Sequence, residues 1–227
     1  MGETILILGN GSWQGEGLLP ELAAGADRII AVDGGFAKAS KHGIRPDLVI
    51  GDLDSLSQGE REELERSGLE VIAHPAEKDQ TDLELALDWA IARRPDRLIL
   101  FGVLGERLDQ TLASVFLLEK AVSAGIAGEI VAGRERLYLL RGGGRLELAA
   151  AGVGDLISLI PLSAEVKGIR TWGLKYPLEG ESLQRASSRG ISNEVVEIPA
   201  GVEVEEGLLL VLVVHTASTP SISPAPR

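Results

Sequence analysis

Acidic residues gather at four places in this sequence, and the four share one local context. A short apolar run ending at Val32 opens into Asp33-Gly34-Gly35, and another ending at Ile50 opens into Gly51-Asp52-Leu53-Asp54-Ser55. A third run, ending at Ala73, precedes Lys78-Asp79-Gln80-Thr81-Asp82, and a fourth, ending at Phe101, precedes Gly105-Glu106-Arg107-Leu108-Asp109-Gln110. Any one of these aspartates is an ordinary helix cap or turn residue, and Asp82 alone would simply favour the start of a helix dipole. Six of them in four loops on one sheet edge are a different matter, because clustered carboxylates repel and persist mainly where a cation neutralises them. The chemistry this implies is a magnesium-type phosphoryl site. Carboxylates face the metal, Lys78 and Arg107 supply local positive charge, and positioning with charge stabilisation does the catalysis. A glycine-rich stretch, Gly9-Asn10-Gly11-Ser12-Trp13-Gln14-Gly15, follows the first apolar run and could admit phosphate against backbone amides. Its spacing is not the dinucleotide fingerprint, and it lacks the lysine of a Walker loop.

The elements that must position these loops follow from hydrophobic periodicity. Strands are expected at Thr4–Leu8, Arg28–Val32, Asp47–Ile50, Glu70–Ala73, Arg97–Phe101 and Glu129–Ala132, each a near-continuous apolar run of the kind covered on both faces. Helical patterns alternate with them, and Ser57-Gln58-Gly59-Glu60 and Thr81-Asp82-Leu83-Glu84 have the form of capping boxes. Residues 1–132 therefore read as an α/β domain with a parallel, helix-covered, Rossmann-like sheet, whose ligands belong at the carboxyl ends of the strands. After Gly142-Gly143-Gly144 the pattern changes. Arg145–Leu148 alternates with period two, and short strand-like runs follow at Asp155–Ile160, Glu165–Trp172, Val195–Ile198, Val202–Glu205 and Leu208–His215. Residues 133–215 read as a second, all-β domain, a sandwich or barrel, with the boundary somewhere in 128–145. Residues 216–227, rich in Ser and Pro, read as a disordered tail.

Composition narrows the function classes. The chain has 227 residues, 44% hydrophobic and 25% charged, with a formal net charge of −12. That balance fits a globular protein and disfavours nucleic acid as a partner, and a bound polyanion would need a carboxylate-held divalent metal to neutralise it. No cysteine is present, which removes disulfides, thiolate metal sites and cysteine nucleophiles. His42, His74 and His215 show no ligand spacing, and Trp13, Trp89 and Trp172 read as packing residues. The longest strongly apolar stretch, Leu208–Val214, is far below the ~20 residues needed to span a bilayer, so no membrane role is expected. The start of the chain has no basic segment before its apolar run, which places the expectation in the cytoplasm.

The ordered series Asp33-Gly-Gly, Pro46 to Ser55, Lys78 to Asp82, Gly105 to Asp109, Gly173 to Leu178 and Gly190 to Glu194 resembles the motif series of the thiamine pyrophosphokinase family, spanning about residues 4 to 215. The resemblance implies transfer of a diphosphate from ATP to the hydroxyl of thiamine, with Mg2+ and release of AMP. It implies an α/β catalytic domain, a β-sandwich thiamine-binding domain, and a homodimer with active sites between subunits. Carried over residue by residue, it makes Asp52, Asp54, Asp79 and Asp82 catalytic and metal-holding. It assigns Asp33, Lys78, Gln80, Arg107 and Asp109 to ATP, and Tyr176, Ser192 and Asn193 to thiamine. One departure is Gln110, where the family usually has His; an amide cannot titrate near neutrality. Two rival readings are a haloacid-dehalogenase-type phosphatase, with Asp52 as nucleophile, and a non-catalytic nucleotide- or thiamine-binding protein. The phosphatase motif normally sits on a first strand and leaves Lys78 to Asp82 unexplained.

Overall fold

The structure is a computed structural model that describes residues 2–105 and 107–216; apart from Thr216, the expected tail lies outside the described residues. The chain divides into two compact units between Gly133 and Arg134. The first contains β1 (Thr4–Leu8), α1 (Leu19–Ala24), β2 (Arg28–Val32), α2 (Gly35–Lys41), β3 (Leu48–Gly51), α3 (Gln58–Ser67), β4 (Glu70–Ala73), α4 (Asp82–Ile91), β5 (Arg97–Phe101), α5 (Leu108–Ser123) and β6 (Ala127–Ala132). Within this unit the strands lie in the order β6-β5-β1-β2-β3-β4, every neighbour parallel. Ile5 to Leu8 at the centre are wholly buried, as are Leu98, Leu100 and Phe101. Each such side chain contributes roughly 1.5–3 kcal/mol by leaving water, so the two central strands are the most firmly held part of the unit. β4 departs from expectation. It is the edge strand and three of its four residues are exposed, so its apolar run is not covered on both faces.

The strand order reverses beside β1. The chain steps outward through β2, β3 and β4, then returns to place β5 on the other side of β1. At such a switch point the loops leaving β1 and β5 diverge over opposite faces and leave a crevice at the carboxyl end. Helix starts are set locally. Ser57 and Glu60 satisfy each other's backbone amides at the start of α3, a complete capping box. At α4 only half of the expected box forms: Thr81 Oγ1 accepts from the Glu84 amide at 3.2 Å, while the Glu84 carboxylate turns to Lys120 Nζ at 2.8 Å. A buried ion pair, Arg97 with Glu129, ties β5 to β6.

The second unit is two antiparallel sheets. β7 (Glu135–Arg141), β9 (Leu156–Pro161), β12 (Asn193–Glu194) and β14 (Leu208–Val214) form one, in the order β12-β9-β14-β7. β8 (Arg145–Glu147), β10 (Glu165–Trp172), β11 (Glu179–Gln184) and β13 (Gly201–Glu203) form the other, in the order β11-β10-β13-β8. Leu209, Val211 and Val213 from one sheet share a core with Leu146, Val166, Ile169, Leu183 and Val202 from the other, which makes the unit a sandwich. Three of its strands, β7, β11 and the two-residue β12, have no counterpart in the sequence reading. β7 falls inside the stretch read as a boundary, and β11 is a polar edge strand with a single buried residue, Leu183. The strand expected at Val195–Ile198 does not form: Val195 makes only an isolated bridge to Leu174, and Val196 and Ile198 are exposed. The three tryptophans pack against the chain's own side chains, Trp13 on His42 and Phe101, Trp89 under Arg93, and Trp172 under Arg145. Among the described residues no helix is long and apolar enough to cross a membrane.

Candidate active site

The crevice at the β1/β5 switch point is a cleft of about 700 Å³ within the first unit. Its floor is two loops joined along their backbones. Gly9 N donates to Phe101 O at 2.8 Å, Gly11 N to Gly102 O at 2.6 Å and Ser12 N to Leu104 O at 2.6 Å. A β-carbon on Gly11 would stand 2.4 Å from Leu104 O and 2.7 Å from Gly102 O, so only glycine permits this approach. The expectation that these amides cradle phosphate is thereby corrected for Gly9, Gly11 and Ser12, whose N–H groups are spent on the neighbouring loop. The outer carbonyls of the same loop are held from α2, where Lys38 Nζ donates to Asn10 O at 2.8 Å and Gly11 O at 2.5 Å. Burial, with the charge of Lys41 beside it, lowers the Lys38 ammonium below its usual pKa.

The acids stand on the next loops. Asp33, Asp52 and Asp54 each bring one carboxylate oxygen within 4.8 Å of the others. The backbone does unusual work to achieve this: Asp33 (φ 48°) and Leu53 (φ 61°) adopt left-handed conformations that few non-glycine residues take up. Asp52 Oδ1 accepts from the Asp54 amide at 3.1 Å, and Asp52 Oδ2 meets Lys78 Nζ at 2.7 Å. Lys78 also lies 3.1 Å from Asp82 Oδ1, an ion pair without hydrogen-bond geometry. The hydrogen bond from Lys78 holds the Asp52 carboxyl below the ordinary carboxylate range. Asp54 is pushed the other way, above it, first by the charge of Asp52 and further by Asp33 and Asp82. Oδ1 of Asp33 is buried with no hydrogen-bond partner. An all-carboxylate donor set, an orphaned buried oxygen and a carboxyl that resists ionising beside its neighbours together fit a hard divalent cation.

Asp54 gives a stability prediction with a definite sign. Its folded pKa is raised, so folding favours the protonated form; that stability is present below the unfolded pKa and lost as pH rises through the folded one. Without divalent metal, Asp54→Asn is expected to raise Tm at about pH 7 and to leave it unchanged near about pH 3, where carboxyls are protonated. Calorimetric melting in chelator at both pH values checks this. A Tm lowered at neutral pH would mean that the contacts of Asp54 outweigh the repulsion it suffers.

The structure brings together some of the other expected residues and separates the rest. Gln80 lines the cleft and donates from Nε2 to Asp88 Oδ2 at 2.9 Å. Arg107 lines it as well, with its guanidinium paired to Asp109 Oδ2 at 2.6 Å, so the exposed Asp109 serves Arg107 rather than the cleft. Asp79 is exposed, outside both the lining and the three-acid cluster. Gln110 lines the cleft, as do Lys38 and Ser114, which sequence reasoning missed. Lys38 reads locally as one more lysine of a short helix, and only the packing of α2 beside β1 places it under the glycine loop. In the second unit Tyr176 and Asn193 meet: the Tyr176 amide donates to Asn193 Oδ1 at 3.1 Å, and Asn193 Nδ2 donates to Tyr176 O at 2.7 Å. The Glu194 amide also donates to Asn193 Oδ1, leaving the side chain one unused N–H. Ser192 is left-handed (φ 59°), anchored through its amide to Ser158 Oγ, and Tyr176 is exposed.

An open parallel α/β unit with carboxylates and cations at its switch point, followed by an antiparallel β sandwich, defines a two-domain protein of the phosphoryl-transfer class. Comparison with known proteins sharpens this. Residues 19–128 match the family model "Thiamin pyrophosphokinase, catalytic domain", and residues 146–209 match "Thiamin pyrophosphokinase, vitamin B1 binding domain". The chain is 32% identical over 213 residues to the thiamine pyrophosphokinase of Bacillus subtilis (strain 168), covering 92% of this chain and 98% of that protein. A crystal structure of the Bacillus subtilis enzyme aligns with a TM-score of 0.84 at 30% identity, over 95% of this chain and all of the other. The Geobacillus thermodenitrificans thiamin pyrophosphokinase aligns with a TM-score of 0.81 at 32% identity, over 95% and 99%. The chain belongs to the thiamin pyrophosphokinase family.

Proposed function

We propose that this chain transfers the diphosphate of ATP to the hydroxyl of thiamine, producing thiamine diphosphate and AMP. The observation that carries this is the cluster of Asp33, Asp52 and Asp54, tied to Lys78 through Asp52 and opening through Asp33 onto the switch-point cleft that Lys78, Asp82 and Arg107 also line, in a chain whose two halves match the family's two domains. Asp33, Asp52 and Asp54 would hold Mg2+, with Asp82 and the exposed Asp79 flanking them on the following loop. When bound, that ion supplies the charge screening that lets a weakly nucleophilic hydroxyl approach phosphorus. Lys78, Gln80 and Arg107 donate to the polyphosphate, and Asp109 orients Arg107. The loops after β1 and β5, fixed to each other by three backbone hydrogen bonds, hold the nucleotide side of the site rigid, as in-line transfer requires. Thiamine is assigned to the sandwich, at Tyr176, Ser192 and Asn193, with Asn193 also holding the Tyr176 backbone in place. The protein is proposed to act in the cytoplasm as a homodimer. The exposed apolar stripe Leu108, Leu112 and Phe116, spaced to lie on one face of α5, supports an assembly.

The test is the identity of the products. With ATP, Mg2+ and thiamine, AMP and thiamine diphosphate should rise in step and stop when the metal is chelated. ADP appearing with thiamine monophosphate would overturn the diphosphate transfer. Inorganic phosphate released without thiamine would favour a phosphatase.

A further inference from the structure

Lys78 is bound like a coordinated ion. Its Nζ lies 2.7 Å from Asp52 Oδ2 and 3.1 Å from both Asp82 Oδ1 and Pro75 O. An ammonium has three protons, and three oxygens surround this one. The three side chains are also largely withdrawn from water, Lys78 at 15% exposure, Asp52 at 12% and Asp82 at 20%. Two carboxylates, Asp52 and Asp82, thus share one ammonium, and Asp52 in turn belongs to the cluster with Asp33 and Asp54.

This arrangement conflicts with two other demands on the same atoms. A divalent cation among Asp33, Asp52 and Asp54 would face a positive charge already resting on Asp52, and like charges at such range repel strongly. A polyphosphate in the cleft that Lys78 lines needs ammonium protons, and two of the three are already given to Asp52 Oδ2 and Pro75 O while the ammonium also pairs with Asp82 Oδ1. Both conflicts end if the ammonium moves. Its four-carbon stem is flexible, and residues 74–81 lie outside helix and strand, so little regular structure opposes the change.

We propose that Lys78 is the resident cation of the acidic loops, occupying Asp52 and Asp82 until a metal-bound nucleotide arrives, when the ammonium passes from the carboxylates to the phosphates. This rests on the metal reading given above and adds an order to it: the free ion binds poorly alone, and metal and nucleotide enter together. The consequence for the enzyme is that its clustered acids, Asp33, Asp52 and Asp54, do not collect divalent ions in the absence of substrate.

The experiment is titration of the full chain with Mn2+, followed by electron paramagnetic resonance of the free ion, without nucleotide and again with a non-hydrolysable ATP analogue. Lys78→Met and Lys78→Gln remove the charge; Lys78→Arg keeps it. Without nucleotide the two uncharged variants should bind Mn2+ about tenfold more tightly than wild type, and the arginine variant about equally to wild type. With the analogue present the order of wild type and the uncharged variants should reverse, because only a chain that keeps a cation at residue 78 can hand one to the phosphates. Thermal melting of each variant identifies any that does not fold, and the two uncharged variants serve as alternates. Equal or weaker Mn2+ binding by the uncharged variants overturns the proposal, and so does a gain of the same size in both conditions, which would make Lys78 a static charge. A wild-type chain that binds no Mn2+ in either condition would overturn the metal reading itself and this inference with it.

Discussion

Asp52→Asn is expected to lower kcat by ~10²–10³ while leaving Tm within a few degrees, the scale on which losing a transition-state charge contact is felt. Asp52 is the residue most enmeshed in the acidic site: one oxygen receives the Asp54 amide, the other receives Lys78, and the carboxylate belongs to the three-acid cluster. Asparagine keeps an acceptor oxygen for the Asp54 amide, so the loop retains its shape while its charge is lost. Asp79→Asn, by contrast, should have a much smaller effect, since Asp79 is exposed and outside the cluster. Steady-state production of AMP, with a melting curve for each variant, distinguishes the two. Near-wild-type turnover in Asp52→Asn would remove this residue from the site, and a phosphoaspartate trapped at Asp52 in the wild type would favour the phosphatase mechanism instead.

The second large effect is on stability and concerns Glu129. Its carboxylate is 2% exposed and pairs with Arg97, itself 8% exposed, across the β5/β6 pairing that flanks the cleft strands. Truncating one member of a buried pair strands the other charge in a medium that solvates it poorly, so Glu129→Ala should cost ~3–5 kcal/mol of unfolding free energy. Replacing both partners with apolar residues, Arg97→Met with Glu129→Leu, should cost less than Glu129→Ala alone, because the pair is then removed without leaving either of its own two charges behind. Equilibrium denaturation of the single and double variants measures both. A single-variant loss below about 1 kcal/mol would show that the pair is solvated well enough to behave like a surface bridge.

Much of the first unit was legible in the sequence because its signals are local. Four of its six expected strands, Thr4–Leu8, Arg28–Val32, Glu70–Ala73 and Arg97–Phe101, have the boundaries the apolar runs indicated. The loops carrying Asp33, Asp52 and Asp54 are also where the runs ended, because in a parallel α/β unit a strand's end and its acidic turn are neighbours in the chain. The capping sequence before α3 behaves as written, since its two partners are three residues apart. The motif order likewise pointed to the family that the comparisons show.

What tertiary structure alone decided depends on which distant segments pair. Nothing near Gly11 announces that its amide serves Gly102 rather than a phosphate; that follows from β5 lying beside β1. The same sheet order places Lys38 beneath the glycine loop, turns Glu84 from its own helix cap to Lys120, and brings Asp52 from the loop after β3 to Lys78. β11, with one buried side chain, becomes a strand through its pairing with β10, and the apolar Val195–Ile198 fails to become one because only Val195 finds a partner. Periodicity reports which face of a segment is apolar. Backbone pairing and ion pairing between segments far apart in sequence are settled by which groups the fold brings into reach, and a polar or short stretch carries no local record of that choice.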